Sequence, residues 1–414
     1  MTRINVGEFK LGVEEKKALA DVIDSGRLSE SRRTFEFEKA WAEYIGTKYA
    51  VAVNSGTSAL IAGITALKLK YGISDGAKVI TTPLTFIATV NAIMHCRLKP
   101  VFVDIDKDTY VITPENIRKA LIKEKGAAII LPVHLMGYPA NMDEINALAA
   151  KHKVVVLEDA AQAHGSLYKG HRLGSLSELG IFSFYIAHNI QAGEMGAVNT
   201  NNADIFKLLK KIKAHGRMCE CNVCTRASGV CPPLDKYTGK DDFDPRFYHD
   251  MIGFNFKVME FQATLALTQL KKVDDIFKKR NANVKVLNDG LAHLGDILQL
   301  PYYSNEVSYL AYPVVIKDDK AISRLELRRQ LEKEGVETRP LFGCIPTQQP
   351  AYSSFKKEYK DKLPIAEYVG RNGFYIGCHQ YLEASDLDYI ISVFNKILKK
   401  KKDESSGKRN RSNL

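Results

Sequence analysis

The feature that most constrains the fold is a regular alternation of short apolar segments with amphipathic ones. Residues 49–53, 154–159 and 181–185 read as apolar strands, and residues 58–71 form one of the helical patterns between them. Strands that alternate with helices build a largely parallel sheet covered on both faces. Ligands bind such sheets beyond the carboxyl ends of the strands. The sequence therefore predicts an α/β protein whose site residues follow its strands.

Length and composition fit a chain of more than one domain. Its 414 residues are 45% hydrophobic and 26% charged, which excludes disordered and fibrous proteins. Residues 258–276 are predicted as one continuous helix. The predicted divisions are an N-terminal arm at 1–20, a large domain at 21–281 with a Cys-rich insertion at 215–250, a small C-terminal domain at 282–399 and a disordered basic tail at 400–414.

Part of the positive charge is concentrated at one end. The chain carries 59 Lys and Arg against 48 Asp and Glu, a net charge of +11. Residues 399–414 hold seven basic side chains against Asp403 and Glu404, so about +5 lies there. We interpret this tail as a solvated end. The alternative is that this tail binds a nucleic acid or a membrane. The remaining charge suits a small anionic substrate.

The sequence predicts a cytoplasmic protein. No apolar segment follows the charges near the N-terminus, so a secretory signal is not expected. No apolar run approaches the roughly 20 residues of a membrane span.

Three short stretches carry side chains of the kinds that bind cofactors or take part in catalysis. Residues 54–58, Asn-Ser-Gly-Thr-Ser, join a strand to a helix start and form either a phosphate cradle or an ordinary helix cap. Glu158 and Asp159 end a strand, where a carboxylate can pair with a protonated pyridine nitrogen or cap the next helix. His188 lies five residues after Ser183, at the end of another strand.

In order and spacing, these stretches resemble the DegT/StrS family of sugar aminotransferases and dehydratases. The resemblance covers about residues 10–398. It implies a PLP- or PMP-dependent enzyme with the aspartate aminotransferase fold (fold type I), in which a large, mostly parallel sheet domain precedes a small C-terminal α+β domain. The stretches that carry it include YAVAVNSGT at 49–57, PLTFIAT at 83–89, EDAAQAHG at 158–165 and GFNFK at 253–257.

The resemblance assigns most of a cofactor site. It implies that Gly56, Thr57 and Ser183 bind the cofactor phosphate. Phe86 would stack on the pyridine ring, and Asp159 would pair with the ring nitrogen.

Two further positions complete this site. The resemblance implies that Gln162 contacts the ring hydroxyl. It also implies that Asn255 reaches the phosphate bound by the other subunit, because sites of this family form across a homodimer interface.

His188 departs from the family's aminotransferases, which carry a Schiff-base lysine there. Imidazole forms no stable internal aldimine, but with an unperturbed pKa near ~6.5 it can move a proton at neutral pH. The replacement resembles the family's 3-dehydratases, which implies C3 deoxygenation of a nucleotide-linked 4-keto-6-deoxyhexose in deoxysugar biosynthesis. An aminotransferase-like enzyme, a dehydratase without a cluster and an inactive enzyme are the alternatives.

Four cysteines fall within 13 residues, which in a reducing compartment indicates metal or redox chemistry more than disulfides. Four thiolates suit zinc or an iron–sulfur cluster. The arrangement is similar to the iron–sulfur CDP-6-deoxy-4-hexulose 3-dehydrase branch, which implies a [2Fe-2S] cluster served by a separate electron-donating reductase. Free thiols, or a non-catalytic Zn-binding interaction protein, stay open. The candidate ligands are Cys219, Cys221, Cys224 and Cys231.

Arg339 lies in a stretch, residues 337–342, that also resembles this branch. A guanidinium binds phosphate or carboxylate through its fork, so we interpret Arg339 as a substrate-binding residue, with a surface arginine as the alternative. The expected partners are a nucleotide-linked sugar, the reductase and a second copy of the chain. Neither a membrane nor a nucleic acid is expected.

Overall fold

Strand pairing gives one large sheet, one small sheet and a two-stranded ribbon. The computed structural model describes residues 3–219, 221, 224–225, 228–235, 244 and 247–411. Its strands are β1 Tyr49–Val53, β2 Lys78–Thr81, β3 Lys99–Phe102, β4 Ala127–Leu131, β5 Val155–Asp159, β6 Leu167–Tyr168, β7 His171–Arg172, β8 Leu179–Ser183, β9 Gly196–Thr200, β10 Leu298–Gln299, β11 Tyr312–Ile316, β12 Arg339–Pro340 and β13 Gly373–Ile376.

Helices flank these strands throughout the described residues. They are α1 Val13–Asp24, α2 Arg32–Ile45, α3 Gly56–Tyr71, α4 Ala88–His95, α5 Pro114–Lys123, α6 Met142–His152, α7 Ala203–Lys213, α8 Pro232–Asp235, α9 Glu260–Leu270, α10 Val273–Leu291, α11 Arg324–Lys333, α12 Ile345–Gln348, α13 Lys356–Tyr359, α14 Pro364–Asn372 and α15 Ala384–Arg411. Short 3₁₀ turns lie at Leu135–Gly137, Ala292–Leu294 and Pro350–Phe355.

The large sheet has seven strands in the order β1-β9-β8-β5-β4-β2-β3. β9 runs antiparallel to both of its neighbours, and the remaining pairs are parallel. All five residues of β8 are buried, as expected for a strand covered on both faces. The predicted α/β fold class is confirmed. Because β5 pairs with β8, Asp159 lies opposite Ile181, and the ends of the two strands lie side by side.

An aromatic cluster anchors β8 from behind. Trp41 of α2 is fully buried and contacts the rings of Phe182 and Phe184, each with centroids 5.0 Å away. His164 lies 5.6 Å from Trp41 and stacks on Phe184 at 5.0 Å. Edge-to-face pairs of this kind contribute beyond the area that they bury. The cluster therefore fixes the end of the strand that carries Ser183.

The small sheet has the order β10-β11-β13-β12, with every pair antiparallel. In this sheet Arg339 of β12 lies opposite Tyr375 of β13. Arg280 of α10, 1% exposed, donates to the carbonyls of Tyr309 at 3.2 Å and Leu310 at 2.9 Å. These bonds tie the long helix to the segment that leads into β11.

The predicted continuous helix at 258–276 is wrong, because the chain forms two helices there. α9 ends at Leu270, Lys271 and Lys272 form a turn, and α10 begins at Val273. The turn brings the ammonium group of Lys272 onto the buried Glu15 of α1. An ion pair between distant segments therefore overrides the local helical pattern.

The last helix of the described residues is Ala384–Arg411. The predicted disordered basic tail at 400–414 stays a prediction. Residues 412–414 lie outside the described part. Among the helices that the structure describes, none is long and apolar enough to cross a membrane.

Candidate active site

A cavity of about 730 Å³ lies at the carboxyl edge of the large sheet, between it and the small sheet. Strand ends of the large sheet supply Asp159 and Ser183, the start of α3 supplies Gly56, and the small sheet supplies Arg339 and Tyr375. Eight predicted site residues line this one cavity: Gly56, Thr57, Phe86, Asp159, Gln162, Ser183, His188 and Arg339.

The start of α3 forms a cradle at the cavity floor. Ser55 caps the helix, since its Oγ accepts a hydrogen bond from the N–H of Ser58 at 3.1 Å. A Cβ on Gly56 would lie 2.5 Å from the Cβ of Ser183, so only glycine fits there. The helix N-terminus and the Ser183 hydroxyl therefore lie close together. This arrangement fits a phosphate group.

Asp159 is 3% exposed and is held at both oxygens. The Thr89 hydroxyl donates to Oδ2 at 2.8 Å, and the N–H of Ala161 donates to Oδ1 at 3.2 Å. Burial raises the pKa of Asp159 above its usual value, although both hydrogen bonds oppose this shift. A buried carboxylate is stabilised by a cation at this position, and a protonated pyridine nitrogen would supply one.

Glu158 does not reach the cavity, because successive side chains of a strand point to opposite faces. Its carboxylate lies 3.0 Å from Nε2 of His134, and the N–H of Ala140 donates to Nδ1 of that ring at 3.2 Å. Nε2 therefore carries the proton and donates it to Glu158. The backbone N–H of His134 donates to the Asp159 carbonyl at 3.0 Å. This buried pair holds the end of β5 in place.

Two residues shape the walls beside Asp159. The side-chain oxygen of Gln162 accepts from the N–H of Met136 at 3.0 Å, which fixes its position in the cavity wall. The Phe86 ring is 57% exposed, and its centroid lies 6.2 Å from that of Phe342. An uncovered aromatic face beside a buried carboxylate fits a flat heterocycle such as the pyridine ring of PLP.

His188 is held as a neutral base. Its Nδ1 lies 2.8 Å from the Ser183 carbonyl oxygen, which can only accept, so Nδ1 carries the proton and Nε2 keeps a lone pair. Burial lowers the pKa of His188 to about 4; the Ser183 carbonyl opposes this shift and the charge of Arg280 adds to it. The His164 ring packs perpendicular to it at 6.0 Å. None of the described residues that line the cavity is a lysine.

Asn255 does not line this cavity. It is exposed, forms a bridge with Ala214, and accepts at its carbonyl from the side chain of Asn54 at 3.5 Å. Asn54 directly precedes the α3 cap, so the Asn255 backbone lies beside the start of the cradle. Its predicted role toward another subunit stays a prediction.

The four candidate metal ligands lie outside the cavity. Burial raises the pKa of the Cys221 thiol to about 11, and the nearby thiols of Cys219, Cys231 and Cys224 raise it as well. Within the described residues, however, no group of three or more His, Cys, Asp or Glu side chains is placed to hold a metal ion. The arrangement does not by itself fit a cluster. Much of the remaining insertion lies outside the described residues.

The sequence analysis missed several residues of the cavity wall. Val6 reaches it from the N-terminal arm, and Thr89 supports Asp159 from α4. Thr89 follows Phe86 by three residues, a helical spacing that could have indicated a shared face. Phe342 has φ +48°, a strained value for a bulky residue of the kind that collects at functional sites. Nothing in the local sequence indicates Val6.

Together, the fold and the cavity define a PLP-dependent enzyme of fold type I. The chain belongs to the DegT/DnrJ/EryC1/StrS aminotransferase family, whose model matches residues 10–395. This family consists of PLP-dependent sugar-modifying enzymes, both aminotransferases and dehydratases.

Three relatives show the range of this similarity. The lipopolysaccharide biosynthesis protein RfbH of Salmonella typhimurium is 31% identical over 403 residues, which cover 94% of this chain and 90% of the relative. GDP-perosamine synthase of Caulobacter vibrioides is 30% identical, with 96% and 99% covered. The structure of E. coli GDP-4-keto-6-deoxy-D-mannose-3-dehydratase with bound hydrated PLP matches with a TM-score of 0.84 at 26% identity, covering 95% of this chain and 99% of that one.

The lowered pKa of His188 predicts its behaviour in acid. Its ring should titrate near pH 4 in the folded protein, against ~6.5 when unfolded. The folded state then binds fewer protons, so this residue lowers the free energy of unfolding as the pH falls from ~6.5 toward 4. Histidine NMR signals followed from pH 8 to 4 check this, with assignment by the loss of one signal in His188→Asn. A midpoint at or above ~6.5 would contradict the prediction.

Proposed function

We propose that the chain is a PMP-dependent 3-dehydratase that removes the C3 hydroxyl of a nucleotide-linked 4-keto-6-deoxyhexose. The observation that carries this proposal is the imidazole of His188, neutral and with Nε2 unprotonated, in a cavity whose described lining contains no lysine. The similarity to a solved 3-dehydratase supports it. A PLP enzyme that transfers amino groups needs an amine at this position to tether the coenzyme.

In this proposal the protein binds the cofactor and moves one proton. PMP, when bound, supplies an electron-accepting ring. Asp159 holds the ring nitrogen protonated, while the α3 cradle and Ser183 hold the phosphate. With PMP and the 4-keto sugar both bound, His188 would remove a proton from C4′ through Nε2, because its Nδ1 proton is committed to the Ser183 carbonyl. The C3 hydroxyl would leave as water.

Arg339 is the proposed contact for the substrate's phosphates. It enters the cavity from the small sheet, opposite the cofactor cradle, and its side chain is 39% exposed. A cavity of about 730 Å³ lies within the range of small-molecule sites, roughly 300–1,000 Å³. The cavity is therefore of a size to bind a small-molecule ligand.

The rival is a sugar aminotransferase, and GDP-perosamine synthase among the relatives supports it. The two candidate functions differ in how the coenzyme is held, because an aminotransferase binds PLP covalently through a lysine. Borohydride would fix PLP to a lysine of such an enzyme. In the proposed dehydratase it would leave the coenzyme free.

Replacing His188 by Asn tests the proposed base. Asn keeps a hydrogen-bonding amide of similar size but cannot take up a proton. With the 4-keto sugar present, exchange of the C4′ hydrogen of PMP with solvent should slow by about 10²–10⁴-fold, the usual contribution of a general base. PMP binding should persist, since Asp159 and Ser183 are unchanged.

The matched control is His95→Asn, which changes a histidine at the end of α4, outside the cavity. It should exchange at the parent rate. If His188→Asn also exchanges at the parent rate, another residue is the base. A borohydride-labelled lysine in the native protein would favour the aminotransferase rival.

We further propose that Cys219, Cys221, Cys224 and Cys231 bind a [2Fe-2S] cluster served by a separate reductase. Support comes from the sequence, which places four thiols in one short segment, and from the other three thiols raising the pKa of Cys221. Within the described residues, no three such side chains are placed to hold a metal ion.

Metal analysis of anaerobically purified protein tests this proposal. We expect about two iron atoms and two sulfides per chain, and their loss in Cys221→Ser. Cys96→Ser, which changes a buried thiol beside α4, should keep them. Zinc without sulfide would indicate a structural zinc site in place of a cluster. Thiols without any metal would contradict the cluster proposal.

We also propose a homodimer in which Asn255 completes the partner's cofactor site. Its exposed position beside the cradle supports this. Mixing His188→Asn chains with Asn255→Asp chains should restore C4′ exchange, because one site of each mixed dimer then has both native residues. Each variant alone should be slow. Light scattering should report a dimer, and a monomer with full cofactor content would contradict the proposal.

A further inference from the structure

The N-terminal segment at residues 4–8, which we call the arm segment, joins the small sheet to the His188 loop. At one end the N–H of Ile4 donates to the Gly335 carbonyl at 2.9 Å, and the Ile4 carbonyl accepts from the N–H of Glu337 at 2.8 Å. At the other end the Glu8 carbonyl accepts from the side chain of Gln191 at 3.2 Å. The arm segment is therefore paired at both ends.

Between these ends the arm segment passes along the cavity. Val6 is 3% exposed and forms part of the wall. Gly7 lies against the backbone of Ala187, the residue before His188; a Cβ on Gly7 would be 3.6 Å from the Ala187 Cα. Asn5 offers its carbonyl to Nε2 of His379 at 3.1 Å.

One carboxylate connects the arm segment to Arg339. Oε2 of Glu337 accepts from the N–H of Val6 at 2.8 Å, and Oε1 accepts from Nε of Arg339 at 3.0 Å. The Glu337 side chain is 19% exposed. Each oxygen thus has its own fixed donor, and both donors belong to residues that line the same cavity.

This pairing, together with the Tyr375 side chain that also bonds the guanidinium, restricts where Arg339 can point. When Nε is held by a carboxylate, the two terminal nitrogens lie on the far edge of the planar group and keep a fork that matches phosphate. An arginine without such a partner samples many rotamers and loses that freedom on binding. Because Glu337 already holds Nε, Arg339 loses less side-chain freedom when it binds phosphate.

We propose that Glu337 is a positioning residue, which orients Arg339 for the phosphates of a nucleoside diphosphate group and is itself held by the Val6 N–H of the arm segment. The inference rests on the proposed function for the nucleotide-linked nature of the substrate. It does not depend on which reaction follows binding.

Calorimetric titration of the PMP-loaded full chain with GDP, CDP, UDP and dTDP tests the role of Glu337. The native protein should bind at least one of them, and Arg339→Ala should weaken that binding. Glu337→Gln should weaken it by about tenfold, the lower range for one charge-assisted hydrogen bond. PMP content and melting temperature should stay unchanged. Glu334→Gln is the control, since Glu334 pairs with Lys396 at 2.8 Å, away from the cavity.

A second pair of variants isolates the arm segment. Val6→Pro removes the N–H that donates to Glu337, whereas Val6→Ala shortens the side chain and keeps the N–H. Diphosphate binding should be weaker in Val6→Pro than in Val6→Ala. Equal binding by the two variants would remove the arm segment from the inference.

Two results would overturn the role of Glu337. One is native affinity in Glu337→Gln while Arg339→Ala loses binding. The other is a native protein that binds none of the four diphosphates. If the native protein and its variants bind diphosphates as expected but no sugar is dehydrated, the proposed function fails and the inference stands.

Discussion

The close contact between the start of α3 and the ends of β8 and β9 is the constraint on which the site depends. A Cβ on Gly56 would collide with Ser183, and a Cβ on Gly196 would lie 2.3 Å from the Ser55 carbonyl oxygen. Two glycines therefore let a helix start and two strand ends meet at van der Waals distance. Ser183 acts twice from this point, because its hydroxyl faces the cradle while its carbonyl fixes the tautomer of His188.

Burial sets the charge state of the cavity before any cofactor binds. It raises the pKa of Asp159 and lowers that of His188, so both groups are driven toward their neutral forms. A protonated ring nitrogen would lower the pKa of Asp159 again by supplying a positive partner. The negative charge of a bound phosphate would raise the pKa of His188. A ligand that carries both a protonated ring nitrogen and a phosphate should therefore bind more tightly than a ligand with only one of them.

Sequence patterns predicted the parts of this protein that depend on a few neighbouring residues. The strand that ends at Asp159 and the turn at Gly56 follow from segments of a few residues. The strand predicted at 181–185 lies two residues earlier, at Leu179–Ser183. What could not be predicted depends on contacts between distant segments. At the turn, Lys272 pairs with Glu15 of α1, and at the cavity the backbone N–H of Val6 pairs with Glu337. No local pattern encodes either pairing.

The aromatic cluster behind β8 has a practical consequence. Trp41 is the chain's single tryptophan, and it contacts His164, which in turn packs against His188. Its fluorescence therefore originates from one known place, a few side chains from the cofactor cavity. PLP absorbs in the region where tryptophan emits, so the intrinsic emission of this protein is an optical reporter of cofactor occupancy that needs no added label.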